Sequence, residues 1–171
     1  MKDKELRLLS ELTKNCRRSD RELGKTLGIS QPTVNRIIKN LEKEGIIQGY
    51  IAIPNVAKLG IEIIAIVLYK VKEQPPTDQN MRMKKAKEFA EKHPNLIFAS
   101  SGMGSGSDRV GVSIHKNYSD YAKFMNDIKE YVEPYEIVET FLISTKGEKV
   151  PRSLSFGTLV DYVRRESHSA R

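Results

Sequence analysis

Cysteine, histidine and tryptophan are scarce in this sequence, with one, three and no residues respectively among 171. The single Cys16 has no partner for a disulfide within the chain. The histidines, His93, His115 and His168, are too scattered to form a metal-ligand cluster with it. We therefore expect no metal site, no catalytic metal and no redox centre.

Long apolar runs are absent as well. A membrane-spanning helix needs roughly 18 consecutive apolar residues, and no stretch of the chain reaches that length. The N-terminus carries acidic residues within its first five positions and leads into a helical pattern, whereas a secretory signal requires an apolar segment there. We expect a cytoplasmic protein with no membrane partner.

Positive charge is in excess, and it is unevenly distributed. Lys and Arg number 29 against 22 Asp and Glu, which gives a net charge of +7. Residues 1–54 have a net charge of +4, residues 55–143 are neutral, and residues 144–171 carry +3. A basic segment is typical of nucleic-acid contact, although ordinary solvated surfaces also vary by a few charges. The charge alone does not distinguish nucleic-acid contact from an ordinary solvated surface, so the distinction depends on the motifs.

Three short helices are predicted in the N-terminal third. The second begins at a capping box formed by Ser19 and Glu22, and it ends at Gly28, where a residue with positive φ terminates a helix most easily. The third runs over about 31–44 with Ser30 as its N-cap. In the first helix, a leucine at every third position predicts one buried stripe, made of Leu6, Leu9 and Leu12.

Two short helices joined by a tight turn with glycine, preceded by another helix, are typical of a helix-turn-helix domain. We assign residues 1–47 to this domain, which is winged-helix-like. In such domains the N-terminal part of the last helix enters the major groove, where Arg pairs with guanine and Asn or Gln pairs with adenine. The outward residues of that part of the helix are Gln31, Thr33, Asn35, Arg36 and Lys39.

Phosphate contacts are predicted around this helix. Arg18 and Arg21 lie near the second helix, and Ser30 starts the third, so all three are candidates. The alternative is a trihelical packing unit whose outer face is merely solvated. Agreement among the helix lengths, the caps, the turn and the candidate base-contacting residues favours DNA binding.

A second domain follows a connector. Residues 48–60 are predicted to be strand-like, because apolar residues alternate loosely there up to Pro54. Residues 61–145 then predict strand, helix and strand twice over, which is the ferredoxin-like βαββαβ arrangement, so the fold class is α+β. The predicted strands are 61–71, 96–101, 109–115 and 137–143, and the inner stripe of the first helix between them is Met83, Ala86, Phe89 and Ala90.

Over about residues 4–145 the chain resembles the Lrp/AsnC family of transcriptional regulators. The resemblance is strongest from Leu27 to Tyr50, which includes the Gly-Ile-Ile-Gln-Gly-Tyr sequence at 45–50 and matches the family's recognition helix and its exit. It implies a homodimer built through the βαββαβ domains and connectors, often assembled further into tetramers or octamers. It also implies that the partner is double-stranded, pseudo-palindromic promoter DNA.

In many members of the family an amino acid or related small molecule binds between subunits at a glycine-rich turn, and the resemblance implies such an effector here. Glycine at alternate positions allows this turn to present N–H groups to a carboxylate, while Asp108 suits an amino group. The spacing of this turn departs from the family's usual Gly-x-x-Asp, so the sequence leaves open whether an effector binds. The candidate residues are Gly102, Met103, Gly104, Ser105, Gly106 and Asp108. We expect no other cofactor.

Residues 146–171 form a C-terminal extension past the point where family members generally end. Its apolar residues predict a short helix over about 158–166, with Leu159, Val160 and Val163 on one side. Two hypotheses follow. The helix docks on a βαββαβ domain, its own or a neighbour's, or the extension is a basic arm that touches DNA.

The function predicted from the sequence is DNA-binding, sequence-specific regulation of transcription by a dimer that responds to an amino acid or related molecule. The alternative is a weakly specific, chromatin-like DNA-binding assembly protein without an effector. An enzyme has the least support, because no nucleophile, acid, base and metal ligands converge in spacing. Arg109 and His115, at the two ends of a strand, are interpreted as surface groups and not as catalytic residues.

Overall fold

The computed structural model describes residues 2–71, 79–104, 106–131, 135–146 and 155–163. The chain divides into two compact units, one formed by Met1–Ile53 with Val150–Arg171 and the other by Pro54–Lys149. Helices build the first unit, and a sheet with two helices builds the second. The predicted α+β class is therefore confirmed.

The first unit contains the helices α1 (Asp3–Lys14), α2 (Asp20–Leu27) and α3 (Gln31–Lys43). The Ser19 hydroxyl accepts a hydrogen bond from the Glu22 amide, and the Glu22 carboxylate accepts one from the Ser19 amide, which confirms the capping box. Gly28 ends α2 with φ 67°, in the left-handed region, and Ser30 caps α3. These caps fix the turn and hence the point at which α3 begins.

The core of the first unit differs from the predicted stripe in α1. Leu8 is fully buried and Leu12 nearly so, whereas Leu6 and Leu9 are only half-buried. Residues four apart, such as Leu8 and Leu12, lie on one face of a helix, while steps of three drift around it. The rest of this core comes from α2 and α3 and consists of Leu23, Val34, Ile37 and Leu41.

The predicted strand-like connector is not a strand. Residues 47–55 have neither helix nor strand, and Val56–Leu59 is a short 3-10 helix. Ile51 and Ile53 are 75% and 57% exposed. A strand needs a neighbour that completes its ladder of backbone hydrogen bonds, and within the described part of a single chain no strand pairs with this segment.

The second unit has the predicted order of elements, with β1 (Ile63–Val71), α4 (Gln79–Lys92), β2 (Leu96–Ser101), β3 (Arg109–His115), α5 (Tyr118–Tyr131) and β4 (Tyr135–Ser144). The strands form one sheet in the order β2-β3-β1-β4, and each is antiparallel to its neighbours. This confirms the ferredoxin-like topology. The most apolar strand, β1, lies inside the sheet, where both of its edges are paired.

Both helices of the second unit pack on one side of the sheet. The core on that side consists of Ala65, Val67, Phe89, Tyr121, Phe124, Met125 and Ile128. The predicted inner stripe of α4 is wrong except for Phe89, because Met83, Ala86 and Ala90 are exposed. Phe89 stacks on His93 just after the helix, with ring centroids 4.0 Å apart, so α4 meets the core near its C-terminal end.

The described part of the C-terminal extension belongs to the first unit. Residues 159–163 are helical and Val160 is 1% exposed, while Leu159 and Val163 remain 43% and 41% exposed. Gly157 lies beside α1, since a Cβ atom there would be 3.9 Å from Cγ of Lys14. For residues 155–163, the hypothesis of docking on the chain's own βαββαβ domain is therefore wrong, while docking on a neighbour's domain and contact with DNA stay predictions. The remainder of the predicted helix, 164–166, lies outside the described residues.

Candidate nucleic-acid interface

One side of α3 presents the side chains that were predicted to contact bases. Gln31, Asn35 and Lys39 are exposed and four residues apart, so they form one row along the helix, with Arg36 beside it. The opposite side of α3 is buried in the core through Val34, Ile37 and Leu41. Burial of that side fixes the rotation of α3 about its own axis and turns the row outward.

The row borders a shallow concave surface. Its lining consists of Asp20, Gln31, Pro32, Asn35, Arg36, Lys39 and Asn40. Guanidinium and ammonium groups donate hydrogen bonds, and amides both donate and accept them, so this set matches the donors and acceptors of base edges. Four of the five predicted base-contacting residues thus lie together.

Thr33 is the fifth, and it differs from the others. It is half-buried, and its hydroxyl lies 2.8 Å from the Ser30 hydroxyl. The Ser30 hydroxyl also accepts a hydrogen bond of 3.4 Å from the Thr33 amide, which closes the first turn of α3. Because the two hydroxyls are engaged with each other, the base contact predicted for Thr33 stays a prediction that depends on its methyl group.

A contact between two helices holds Asn35. Its Nδ2 donates a hydrogen bond of 3.2 Å to Oδ2 of Asp20, the first residue of α2. Sequence reasoning missed Asp20 because no periodic pattern joins residues 15 positions apart, and because a search for basic residues passes over an acid. The one available signal was the tight turn after Leu27, which predicts that α2 and α3 pack against each other.

Arg18, predicted to contact phosphate, is held within the first unit. Its guanidinium contacts the Glu11 carboxylate and the Thr26 hydroxyl, and it donates to the Glu22 carbonyl at 3.4 Å. Burial raises the pKa of Glu11, but hydrogen bonds from Lys14 and Arg18 outweigh burial and lower it. Arg18 therefore links α1 to α2, and its role as a phosphate contact stays a prediction that this network weakens.

The glycine-rich turn between β2 and β3 is closed by its own backbone. The Gly102 amide donates to the Asp108 carbonyl at 2.9 Å, and the Gly104 amide donates to the Ser107 carbonyl at 3.0 Å. Gly106 has φ 85°, in the region that glycine adopts most easily. Two of the amides that were predicted to meet a carboxylate are thus engaged within the turn.

The side chains of this turn face different surroundings. Met103 is fully exposed, whereas Asp108 is half-buried and its amide donates to the Tyr69 carbonyl of β1 at 3.0 Å. Ser105 lies outside the described residues. The effector site predicted for residues 102–108 stays a prediction.

His115, interpreted above as a surface group, is fully buried. Its Nε2 lies 2.8 Å from the Ser113 hydroxyl, and its ring packs edge-on against Tyr121. Its Nδ1 has no hydrogen bond within the described part of the chain and lies 3.9 Å from Oδ2 of Asp120. Burial lowers the pKa of His115, and the Asp120 carboxylate opposes this. The missed signal was strand alternation, which directs positions 111, 113 and 115 inward.

The side of the sheet opposite the helices is apolar and open. Strand register brings Ile66 of β1 beside Phe141 of β4 and Val112 of β3, and Val112 lies beside Phe98 of β2. Phe98 and Phe141 are 54% and 61% exposed. We call this band across all four strands the open sheet face, defined by Ile66, Phe98, Val112 and Phe141.

The residues that the structure describes contain no candidate metal site, and Arg109 takes part in a contact between strands. No group of three or more His, Cys, Asp or Glu there could hold a metal ion. Arg109 is half-buried and contacts the Ser101 hydroxyl of β2. None of the described helices combines the length and apolar character that crossing a membrane requires.

Comparison with known proteins identifies relatives of both units. A family model described as winged helix-turn-helix DNA-binding matches residues 1–48. The chain is 32% identical over 121 residues to the HTH-type transcriptional regulator Ptr1 of Methanocaldococcus jannaschii. This alignment covers 71% of this chain and 76% of Ptr1. It is 28% identical over 143 residues to the HTH-type transcriptional regulator LrpC of Bacillus subtilis, covering 84% and 94%. These relatives are transcriptional regulators and not enzymes.

Solved structures share the fold. The structure of Bacillus subtilis LrpC aligns with a TM-score of 0.68 and 24% identity, over 89% of this chain and 99% of LrpC. The complex of the transcriptional regulator NMB0573 of Neisseria meningitidis with L-Met aligns with a TM-score of 0.71 and 17% identity, over 93% and 99%. The helix-turn-helix followed by a four-stranded antiparallel sheet with helices is thus an arrangement that these proteins have in common.

Proposed function

Because the chain belongs to the Lrp/AsnC family of transcriptional regulators, we propose that it binds promoter DNA as a dimer and recognises a pseudo-palindromic site through α3. The observation that carries the proposal is the exposed row of Gln31, Asn35 and Lys39, with Arg36 beside it, on a helix whose opposite side is buried. A recognition helix requires this division of its surface. Two such helices in a dimer contact half-sites roughly 34 Å apart, one turn of DNA.

The exposed side chains have distinct expected roles. Arg36 pairs with guanine through two hydrogen bonds, and Gln31 and Asn35 have the amides that suit adenine. Arg21 is exposed at the start of α2 and contacts phosphate, together with the amides at the Ser30 end of α3. Base contacts of this kind give sequence specificity, and phosphate contacts fix the register on the duplex.

Dimerisation is proposed to use the open sheet face and the connector. Phe98 and Phe141 are exposed within one apolar band that crosses all four strands, and a continuous band of this kind suits association with another apolar surface. The exposed Ile51 and Ile53 of the connector lack a strand partner in the described part of one chain, and a second connector supplies such a partner. Assembly of these dimers into tetramers or octamers is part of the same proposal.

An amino acid is the proposed effector, bound between subunits at the glycine-rich turn of residues 102–108. Support comes from the L-Met complex of the Neisseria meningitidis regulator, whose fold this chain shares. Binding at a subunit interface changes the relative position of two recognition helices and therefore the affinity for a site of fixed spacing. Asp108 is the charged group of the turn that suits the ammonium group of an amino acid.

A weakly specific, chromatin-like DNA-binding protein without an effector is the second candidate. It is favoured by the closed backbone of the turn, in which the Gly102 and Gly104 amides already donate to carbonyl groups. A thermal-shift screen of the amino acids at millimolar concentration separates the two candidates. Stabilisation by one of them supports the effector, and no shift with any of them supports the second candidate.

Selection of bound sequences from random DNA tests the main proposal. The chain is expected to enrich two inverted half-sites, and Arg36→Ala should weaken binding to the selected site by on the order of tenfold or more while binding to random DNA changes little. Arg21→Ala is the matched control, because loss of a phosphate contact weakens binding to all sequences alike. Scattered enrichment, or equal losses with Arg36→Ala on both kinds of DNA, would contradict base recognition by α3.

A further inference from the structure

An acid lies within the surface that is proposed to meet DNA. In the lining of the concave surface, Asp20 is the acidic residue among two cations, Arg36 and Lys39, and four uncharged residues. A carboxylate there repels the phosphates of an approaching duplex and lowers general affinity. Its position therefore calls for a role other than electrostatic attraction.

The start of α2 is a favourable place for the carboxylate of Asp20. As the first residue of α2 it lies where the N-terminal amides and the helix dipole favour a negative charge, and it is half-buried. Asn35 is exposed and reaches it from α3 with the 3.2 Å hydrogen bond from Nδ2 to Oδ2. Asp20 is thus the anchor of this pair, and Asn35 is the side chain whose orientation the pair decides.

A carboxylate selects one orientation of the amide. An ionised carboxylate only accepts hydrogen bonds, so the nitrogen of Asn35 faces Asp20 and the oxygen is turned away. One N–H is consumed by the contact, which leaves the other N–H and the amide oxygen. Those two groups are the donor and acceptor that match N7 and the N6 amino group of adenine.

We propose that Asp20 is a positioning residue for sequence recognition: it holds the amide of Asn35 in the orientation that reads adenine. The inference rests on the proposed function, because it takes Asn35 to be a base-contacting residue. It adds a second residue to that contact, one on a different helix that touches no base. The amide then meets DNA already oriented, and discrimination does not depend on choosing between its two flipped forms.

The test measures base preference at one operator position in four proteins. Wild type, Asn35→Ala, Asp20→Ala and Asp20→Asn are titrated with the selected operator and with the three other bases at each half-site position. A ratio of affinities between two DNA sequences is independent of the folded fraction, so partial unfolding of a variant does not disturb it. The Asn side chain of Asp20→Asn removes the charge and adds a donor beside its acceptor oxygen, so it can meet either end of the Asn35 amide.

Asn35→Ala is expected to lose an adenine preference of on the order of tenfold at one position of each half-site. Asp20→Ala should lose most of that preference at the same position, and it should add no further loss in the Asn35→Ala background. Asp20→Asn should also lose part of the preference, because its amide can donate as well as accept and no longer selects one orientation of Asn35. Both Asp20 variants should bind random DNA more tightly, because a negative charge is gone.

Three results would overturn the inference, and they are distinguishable. An unchanged adenine preference in Asp20→Ala would leave Asp20 with an electrostatic effect alone. A changed preference at a different position, particularly for cytosine, would make Asp20 a direct base contact. No change in any preference with Asn35→Ala would instead remove the proposed role of Asn35, on which the inference depends.

Discussion

The two units of this protein use their apolar side chains differently. In the first unit, leucine, isoleucine and valine of three helices converge on one closed core, and the outward row of α3 is polar. In the second, apolar residues occupy both sides of the sheet, and helices cover only one of them. The net charge follows the same division, with +4 over residues 1–54 and none over 55–143.

This difference indicates which partner each unit suits. The core of the first unit is already closed, so burying more of its surface would stabilise it little. Its exposed row of cations and amides can form hydrogen bonds with a charged polymer such as DNA. An apolar sheet face is stabilised when a second apolar surface removes it from water, which a copy of the same face does by symmetry. We therefore expect the first unit to be complete in one chain and the second to be completed by association, as proposed above.

The largest expected effect comes from charging the open sheet face. Phe141→Asp puts an unpaired carboxylate at the proposed dimer interface, where burying it is strongly unfavourable. We expect monomers by light scattering, and operator affinity should fall by on the order of 100-fold, because a monomer contacts only one half-site. The fold itself should survive, since the Phe141 side chain is 61% exposed in one chain.

Met83→Asp provides the control for this change. Met83 is 57% exposed, close to the value for Phe141, but it lies on α4 and therefore on the other side of the sheet. Dimers should persist in this variant. A dimeric Phe141→Asp protein would refute the idea that the open sheet face is completed by a second copy.

Arg18→Ala tests whether the first unit is closed by polar contacts as well as by its core. Loss of the hydrogen bonds from Arg18 to Glu11 and Thr26 should lower the free energy of unfolding by about 1 to 2 kcal/mol, measured by urea titration. The salt dependence of DNA binding should stay unchanged. Arg21→Ala is expected to do the reverse, leaving stability intact and reducing the salt slope by about one. A reduced slope in Arg18→Ala would restore its predicted phosphate contact.

The elements that sequence reasoning located correctly are those with local signals. The capping box of Ser19 and Glu22, the left-handed Gly28 and the cap at Ser30 depend on residues within a few positions of one another. The strands and helices of the second unit also follow from local periodicity. Local patterns therefore fixed the fold class and the face of α3 that is exposed.

What could not be predicted depends on tertiary contacts. Asp20 meets Asn35, and Arg18 meets Glu11, only because the three helices pack at particular angles. The sequence of the connector is typical of a strand, but a strand forms only where a neighbouring strand pairs with it. The apolar side of the extension predicts burial, but it does not identify the surface that covers Val160.

Mild acid should affect the second unit more than the helices α1 to α3, because residues 1–53 contain no histidine, whereas residues 54–149 contain His93 and His115. Burial lowers the pKa of His115 from its ordinary 6.5, so below that pH the unfolded chain binds a proton that the folded chain does not. Stability of the second unit therefore falls as the pH drops through this window. Relative to the intrinsic exchange rate, which itself falls with pH, hydrogen exchange should become faster in β3 and α5 between about pH 7.5 and pH 5.5 and stay constant in α2 and α3.

Two substitutions assign this effect to its source. His115→Gln removes the titrating group and should abolish the acceleration, whereas His93→Gln removes the histidine that packs on Phe89 and should leave it in place. In the first unit the pKa values of Glu11 and Glu22 are lowered below 4.5, so these carboxylates lose their contribution only at more acidic pH. Equal acceleration in both units would contradict the assignment.

The smallest expected effect concerns the point at which the chain leaves the first unit. The Tyr50 hydroxyl donates to the Glu42 carboxylate at 3.0 Å and so ties the start of the connector to α3. Partial burial and this hydrogen bond raise the pKa of Tyr50 from 10.0 to about 12, so its contribution is complete below pH 10 and disappears as the pH rises through 12.

Tyr50→Phe should lower the free energy of unfolding by only about 0.5 kcal/mol, since the side chain is 48% exposed and water replaces part of the lost bond. Tyr162→Phe, in the extension and 62% exposed, should change nothing. The difference is measurable by urea titration at neutral pH and should vanish above about pH 12. If the two variants are equally stable, the connector is not held to α3, and the first unit ends at its helices rather than at Tyr50.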